Sequence, residues 1–193
     1  MKRLFTATAI LVAASAAVFG QQVRVTGQWA IQDGQHNVVS AAHDGKDVDH
    51  LGGIGVEVVF DNIGIGVTAL ASFEETSPDY WFVDWDGRLF MSYHFRDRRA
   101  FFDPFIQGGV GSAGEVEIDS NVGMTGDECE TKRVAVAIYP YMGAGAGLHF
   151  RGGLYASGQF NWRPTGAGIP CTNLDYPDLD EFEAVFAVGF AFN

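Results

Sequence analysis

Cysteine is scarce in this chain of 193 residues: there are two, Cys129 and Cys171, and neither Cys-x-x-Cys nor His-x-x-x-His occurs. That removes the close ligand spacing of a structural zinc site, and no metal or other cofactor is called for. Positive charge is also short, with 12 Lys and Arg against 24 Asp and Glu and a net charge of −12. Such a balance speaks against a nucleic-acid partner. Beyond the first twenty residues no apolar run approaches the ~20 residues that a membrane-spanning helix needs. The acidic stretches lack the ligand pattern of an EF-hand. One glycine pattern, Gly109-x-Gly111-x-x-Gly114, matches a dinucleotide fingerprint, but no helix signal follows it to hold a pyrophosphate, so it reads as chance within a glycine-rich strand.

The chain begins Met1-Lys2-Arg3, runs through an Ala-, Leu- and Val-rich stretch over residues 7–19, and turns polar at Gln21-Gln22. This is the form of a secretory signal peptide. Residues 1–20 are expected to be removed, with cleavage after Gly20 or, as the alternative, after Ala17. The apolar stretch is short for an uncleaved anchor. Residues 21–193 are then enough for one domain. In an exported chain two cysteines point to a disulfide, Cys129 with Cys171.

What the sequence has in abundance is alternation. It is 47% hydrophobic, with 25 Gly and 16 Phe, and its apolar residues are spread at every second position. Residues 182–192 show this most fully. Phe182, Ala184, Phe186, Val188, Phe190 and Phe192 interleave with Glu183, Val185, Ala187, Gly189 and Ala191. Period two is a strand with one bulky apolar face and one face of small residues and an acid. The same reading places strands over residues 23–31, 52–60, 63–73, 83–95, 104–112 (with a continuation toward Ile118), 134–150 and 154–163. The total is eight strands. Asp61-Asn62 suits a two-residue hairpin. Arg151-Gly152-Gly153 suits a tight turn, and residues 96–103 read as a short basic turn. Pro140, inside the sixth strand, removes a ladder donor and is expected to mark a bulge.

A soluble sandwich would carry polar residues along its open face, whereas a narrow membrane barrel gives its bulky apolar series to lipid and its small and polar series to a crowded lumen. A strand of ~11 residues at ~3.3 Å rise and a tilt of ~40° stands roughly 28 Å tall, which spans an apolar band of ~25 Å. Connections alternate between short and long. Phe60, Phe95 and Phe150 precede short turns, and Phe73, Trp81, Trp85, Trp162 and Phe182 lie near long loops, as two aromatic girdles would. In these features the sequence resembles the small eight-stranded bacterial outer-membrane barrels of the OmpA/OmpX-like type, whose last strand ends in alternating aromatics. The resemblance covers the whole of residues 21–193 and implies an all-β, antiparallel, up-and-down transmembrane barrel with both termini in the periplasm. It also implies a monomer in outer-membrane lipid, inserted by the barrel-assembly machinery through its last strand. A lipocalin-like soluble barrel is the alternative, and would need the bulky series to point inward.

Charges in the middle of strands need an enclosed polar space. Arg24, Glu57, Asp84, Asp86, Arg88, Arg163 and Glu183 all fall on the small-residue series and are expected to fill the lumen as one ion-pair network. A pore lining or a set of catalytic carboxylates is the sharper alternative. His94 and His149 lie on the same series near short turns, where a hydrogen-bonded structural role outweighs a catalytic base. Some barrels of this kind are lipid-modifying enzymes with Ser and His at the outer rim, but here both histidines fall at the other end. The long loops are acidic: Asp44, Asp47, Asp49; Glu115, Glu117, Asp119, Asp127, Glu128, Glu130; Asp175, Asp178, Asp180, Glu181. They offer oxygen ligands for divalent cations or a surface ligand, although a solvated, repulsive surface is the plainer reading. The functional expectation is a structural or surface-interaction protein without catalysis, with a small solute pore as its rival and a lipid-modifying enzyme behind both.

Overall fold

Because successive side chains of a strand point to opposite faces, a sheet built from these sequences turns every bulky series the same way once its strands are in register. The computed structural model describes residues 21–33, 48–77, 80–95, 100–119, 131–164, 169–170 and 182–192. Eight antiparallel strands close into a barrel. They are β1 (Gln22–Asp33), β2 (Val48–Phe60), β3 (Ile63–Ser77), β4 (Tyr80–His94), β5 (Phe102–Asp119), β6 (Thr131–His149), β7 (Leu154–Trp162) and β8 (Phe182–Phe192). Each pairs with the next, and β8 returns to β1 in a register running from Val23↔Phe192 to Gln32↔Glu183. A two-residue stretch, Ile169–Pro170, adds to β6 at Ile138 and Ala137.

Both ends of the chain's barrel, the start of β1 and the finish of β8, lie at the short-turn end. There Asp61 takes the left-handed conformation at φ 53° between the paired Phe60 and Ile63. Gly152 and Gly153 do the same at φ 82° and 85°, a conformation that glycine enters without steric cost. The bulky series faces out: Ile54 and Val188 are each 60% exposed and Phe73 70%, among many large apolar side chains in the same state. This excludes the lipocalin-like alternative. Aromatics crowd the short-turn rim, where Tyr93 meets Phe95 edge-on at 5.0 Å and Phe101 meets Phe150 at 5.5 Å. The small and polar series faces in. It holds one apolar cluster of Ala30, Leu51, Leu70 and Val185, and another of Phe90, Tyr139 and Tyr141.

Three sequence expectations are corrected. Pro140 makes no bulge, because the β5–β6 register runs straight through Val110↔Pro140 and shifts only between Glu117 and Ile118. Pro140 sits between the last β7 pair, Met142↔Trp162, and the Ile169–Pro170 pairing at Ile138, a stretch of β6 where a missing donor costs least. Asp103 belongs to β5 and not to a turn. The strands also run further at the long-loop end than the apolar alternation does, since the ladder is made by backbone groups and needs no apolar side chain. Asp49 is therefore in β2, and β5 takes the continuation toward Ile118, so that Glu115, Glu117 and Asp119 are in the strand. The fingerprint-like glycines Gly109, Gly111 and Gly114 lie within β5, and no α-helix follows them among the described residues. Residues 1–20, Cys129 and Cys171, and the acids Asp44, Asp47, Asp127, Glu128, Glu130, Asp175, Asp178, Asp180 and Glu181 lie outside the described residues.

Candidate functional site: two charge clusters in the lumen

Parity puts the charged residues inside, and strand register decides which of them meet. Asp86 and Arg88, two apart on β4, share one face. Arg88 reaches across the lumen to β8 and grips Glu183 as a fork, Nη1 to Oε2 at 2.6 Å and Nη2 to Oε1 at 2.6 Å. Its Nε also donates to Asp86 Oδ1 at 3.2 Å. Arg163, just past β7, spans the same two acids, with Nη2 3.2 Å from both Asp86 Oδ2 and Glu183 Oε1. The Tyr139 hydroxyl donates to Asp86 at 2.6 Å, and Asn161 Nδ2 donates to Glu183 Oε2 at 2.8 Å. The Arg163 guanidinium lies over the Tyr139 ring at 4.7 Å. All these side chains are buried. Bidentate arginine forks are among the stronger ionic contacts, and here each acid has two cationic partners.

A second cluster lies toward the short-turn end. Arg24 of β1 donates to Asp103 Oδ2 at 2.7 Å and to Glu57 Oε2 at 3.0 Å. His94 sits between the same two acids, and His149 Nε2 lies 3.2 Å from Asp103 Oδ2. Ser92 Oγ contacts Glu57 Oε1 and is 3.0 Å from His94 Nε2. Tyr155 packs its ring under the Arg24 guanidinium at 4.8 Å. Between the clusters is a cavity of about 40 Å³, lined by Thr26, Gln28, Gln107, Gln159 and Ser157 with Arg24 and His94 at one side. It has room for a few water molecules. Gln107 Nε2 donates to Asn161 Oδ1 at 3.2 Å and so ties this middle layer to the Arg88 cluster.

The seven residues picked from sequence are thus divided where one network was expected. Asp86, Arg88, Arg163 and Glu183 meet near the long-loop end, Arg24 and Glu57 meet near the short-turn end, and Asp84 accepts from Ser72 Oγ at 3.0 Å. Asp103 was missed. Its parity with Gln107, Gly109 and Gly111 was the available signal, obscured by assigning it to a turn. Tyr139, Asn161, Ser92 and Tyr155, which complete the two clusters, are buried on the inner face and are not among the residues singled out from sequence.

The distances from Ser92 to His94 to Asp103 are those of a nucleophile, base and orienting acid. The setting does not suit that chemistry. Ser92 Oγ is engaged by the Glu57 carboxylate, and both Ser92 and His94 are buried in the barrel interior. Glycines make the room. A Cβ on Gly111 would strike the Tyr139 ring, and one on Gly64 would strike Ser92 Oγ and the Glu57 carboxylate.

No protein-family model and no curated protein sequence matches the chain. Solved structures do. The N-terminal β-barrel domain of Pseudomonas aeruginosa OprF is 14% identical with a TM-score of 0.56, over 89% of this chain and 97% of that one. Ail, the attachment invasion locus protein of Yersinia pestis, in complex with the heparin analogue sucrose octasulfate, is 11% identical with a TM-score of 0.53, over 89% of this chain and 99% of that one. With its closed barrel and apolar exterior, this chain has the fold of the small eight-stranded outer-membrane barrels.

Proposed function

We propose that the protein is a monomeric barrel of the bacterial outer membrane, closed to solutes, that acts as a structural or surface-interaction protein without catalysis. The observation that carries this reading is the combination of an apolar exterior and a lumen filled by its own ionic side chains. So much exposed apolar surface has no place in water, and an eight-stranded barrel has little interior beyond its side chains. Residues 1–20 act as the signal peptide, both termini lie in the periplasm, and β8 is the strand presented to the barrel-assembly machinery.

The long-loop end is then the outer surface. There β3, β4, β5 and β6 outrun the other strands: the β2–β3 register ends at Gly52↔Ala71 and the β6–β7 register at Met142↔Trp162, while β5 still pairs with β6 at Ile118↔Thr131. A sheet that stands beyond the rim supports a role in binding at the surface. The acids of this end favour a cationic partner or divalent ions over a polyanion such as the sucrose octasulfate bound by Ail. Cys129 and Cys171 bridge two of the long connections in this reading. Labelling of both thiols by an alkylating reagent in unreduced, exported protein would remove the bridge from it.

The pore is the second reading, and the cavity between the clusters is what favours it. Planar-bilayer recording separates the two. The closed barrel passes almost no current, and steady single-channel openings from the wild-type protein would move the assignment to the pore. Heat-modifiability on a gel combined with surface proteolysis of cells tests barrel, membrane and orientation together.

A further inference from the structure

His94 ends β4 and is 1% exposed. Its two ring nitrogens face different carboxylates, Nδ1 at 3.0 Å from Asp103 Oδ1 and Nε2 at 3.1 Å from Glu57 Oε1. A neutral imidazole has one N–H and one lone pair, so it satisfies one of these acids and turns a lone pair on the other. The imidazolium donates to both. Ser92 does not rescue the neutral ring. Its one hydroxyl proton is taken up by Glu57 Oε1 in the shorter of its two contacts, which leaves Ser92 Oγ to accept from Nε2 at 3.0 Å.

The surroundings come from every side of the barrel. β1 brings Arg24, β2 Glu57, β5 Asp103 and Phe105, β6 His149 and β7 Tyr155, while β3 and β8 place only Gly64 and Ala191 at this level, opposite Ser92 and Arg24. Arg24 Nη1 lies 3.4 Å from both ring nitrogens and opposes a second cation. That guanidinium is itself shared between Asp103 and Glu57, so the two acids outweigh it.

We propose that a proton held on His94 bridges Asp103 and Glu57 and fastens the short-turn end of the barrel, and that loss of this proton loosens that end. Chemically, rising pH takes the proton from one ring nitrogen to solvent. One carboxylate then faces a lone pair, and the cluster gains one negative charge. The stabilisation is full at low pH and is lost as pH rises through the titration of the ring. The cluster around Arg88 does not respond, because guanidinium groups keep their protons.

The test uses the refolded barrel in lipid vesicles, with ¹⁵N-histidine NMR on the same protein in micelles. At neutral pH both His94 ring nitrogens should be protonated. Between the pH at which this ring titrates in the unfolded chain and the higher pH at which it loses its proton in the folded barrel, the urea unfolding constant should rise by up to about tenfold per pH unit, the linkage limit for one proton, and level off above that. That rise should vanish in His94→Gln and survive in His149→Gln. A neutral His94 ring at neutral pH, including one beside a protonated Glu57, overturns the proposal, as does an unchanged pH slope in His94→Gln. Where His94→Gln fails to refold, the ring protonation of the wild-type protein decides. The result bears on the closure of the barrel whether its outer surface binds a partner or not.

Discussion

The two charge clusters solve one problem with different chemistry. Near the long-loop end, two arginines face two acids, and Tyr139 and Asn161 complete the coordination of Asp86 and Glu183. Near the short-turn end, Arg24 alone among the arginines described there serves Glu57 and Asp103, and the histidines supply further donors. An arginine-held cluster is permanent over any physiological pH. A histidine-held one depends on a proton, so the two halves of one lumen are expected to differ in how firmly they close.

The comparison breaks most readily at Arg88. Arg88→Ala leaves Asp86 and Glu183 buried with only Arg163 between them, and a loss of about 3–5 kcal/mol is expected from stranding a buried charge. Arg24→Ala should cost less, about 2–3 kcal/mol, because His94 and His149 still donate to the acids it abandons. Urea titrations of the two variants in vesicles, run side by side, measure the difference, and equal losses would dissolve the distinction between the clusters. A sharper probe keeps all charges in place. Tyr139→Phe removes the hydroxyl that donates to the ionised Asp86 and accepts from Arg88 Nε, and should cost about 2 kcal/mol. Gly64→Ala pushes a methyl into Ser92 and Glu57, and about 1–3 kcal/mol of overpacking is expected at the other cluster. Only the second change should alter the pH dependence of unfolding. The smallest effect belongs to the exterior. Val67, half exposed on the outward series, should lose about 1 kcal/mol on truncation to alanine, the transfer value of its methyl groups. A larger loss there than at Tyr139 would mean that the faces are reversed.

Much of the architecture was legible in advance. The alternation along residues 182–192 identified an outward aromatic series that is exposed in the structure, and the same rule put Arg24, Glu57, Asp86, Arg88, Arg163 and Glu183 on the inner face. The turns at Asp61-Asn62 and Arg151-Gly152-Gly153 were equally plain, because positive φ selects few residue types. Strand ends were read less well. Alternation of apolar residues reports where a strand has something to expose to an apolar medium, and the backbone pairing of β3 to β6 continues past that point. Asp103 was lost for a related reason: next to Arg96, Arg98 and Arg99 it looks like part of a charged turn, and only its pairing with Gly147 places it in the wall.

Parity is a local property. It repeats every two residues along one strand, so the sequence by itself determined which side chains face in, and with them an antiparallel barrel with a charged lumen and an apolar exterior. Height along the barrel is not local. It depends on the register of each strand on the next and on the stagger accumulated around the closed sheet. That is why the sequence could assign seven charges to the lumen and only the tertiary structure could divide them, carrying Arg88 to Glu183 at one level and Arg24 to Asp103 at another, with a small polar cavity in between.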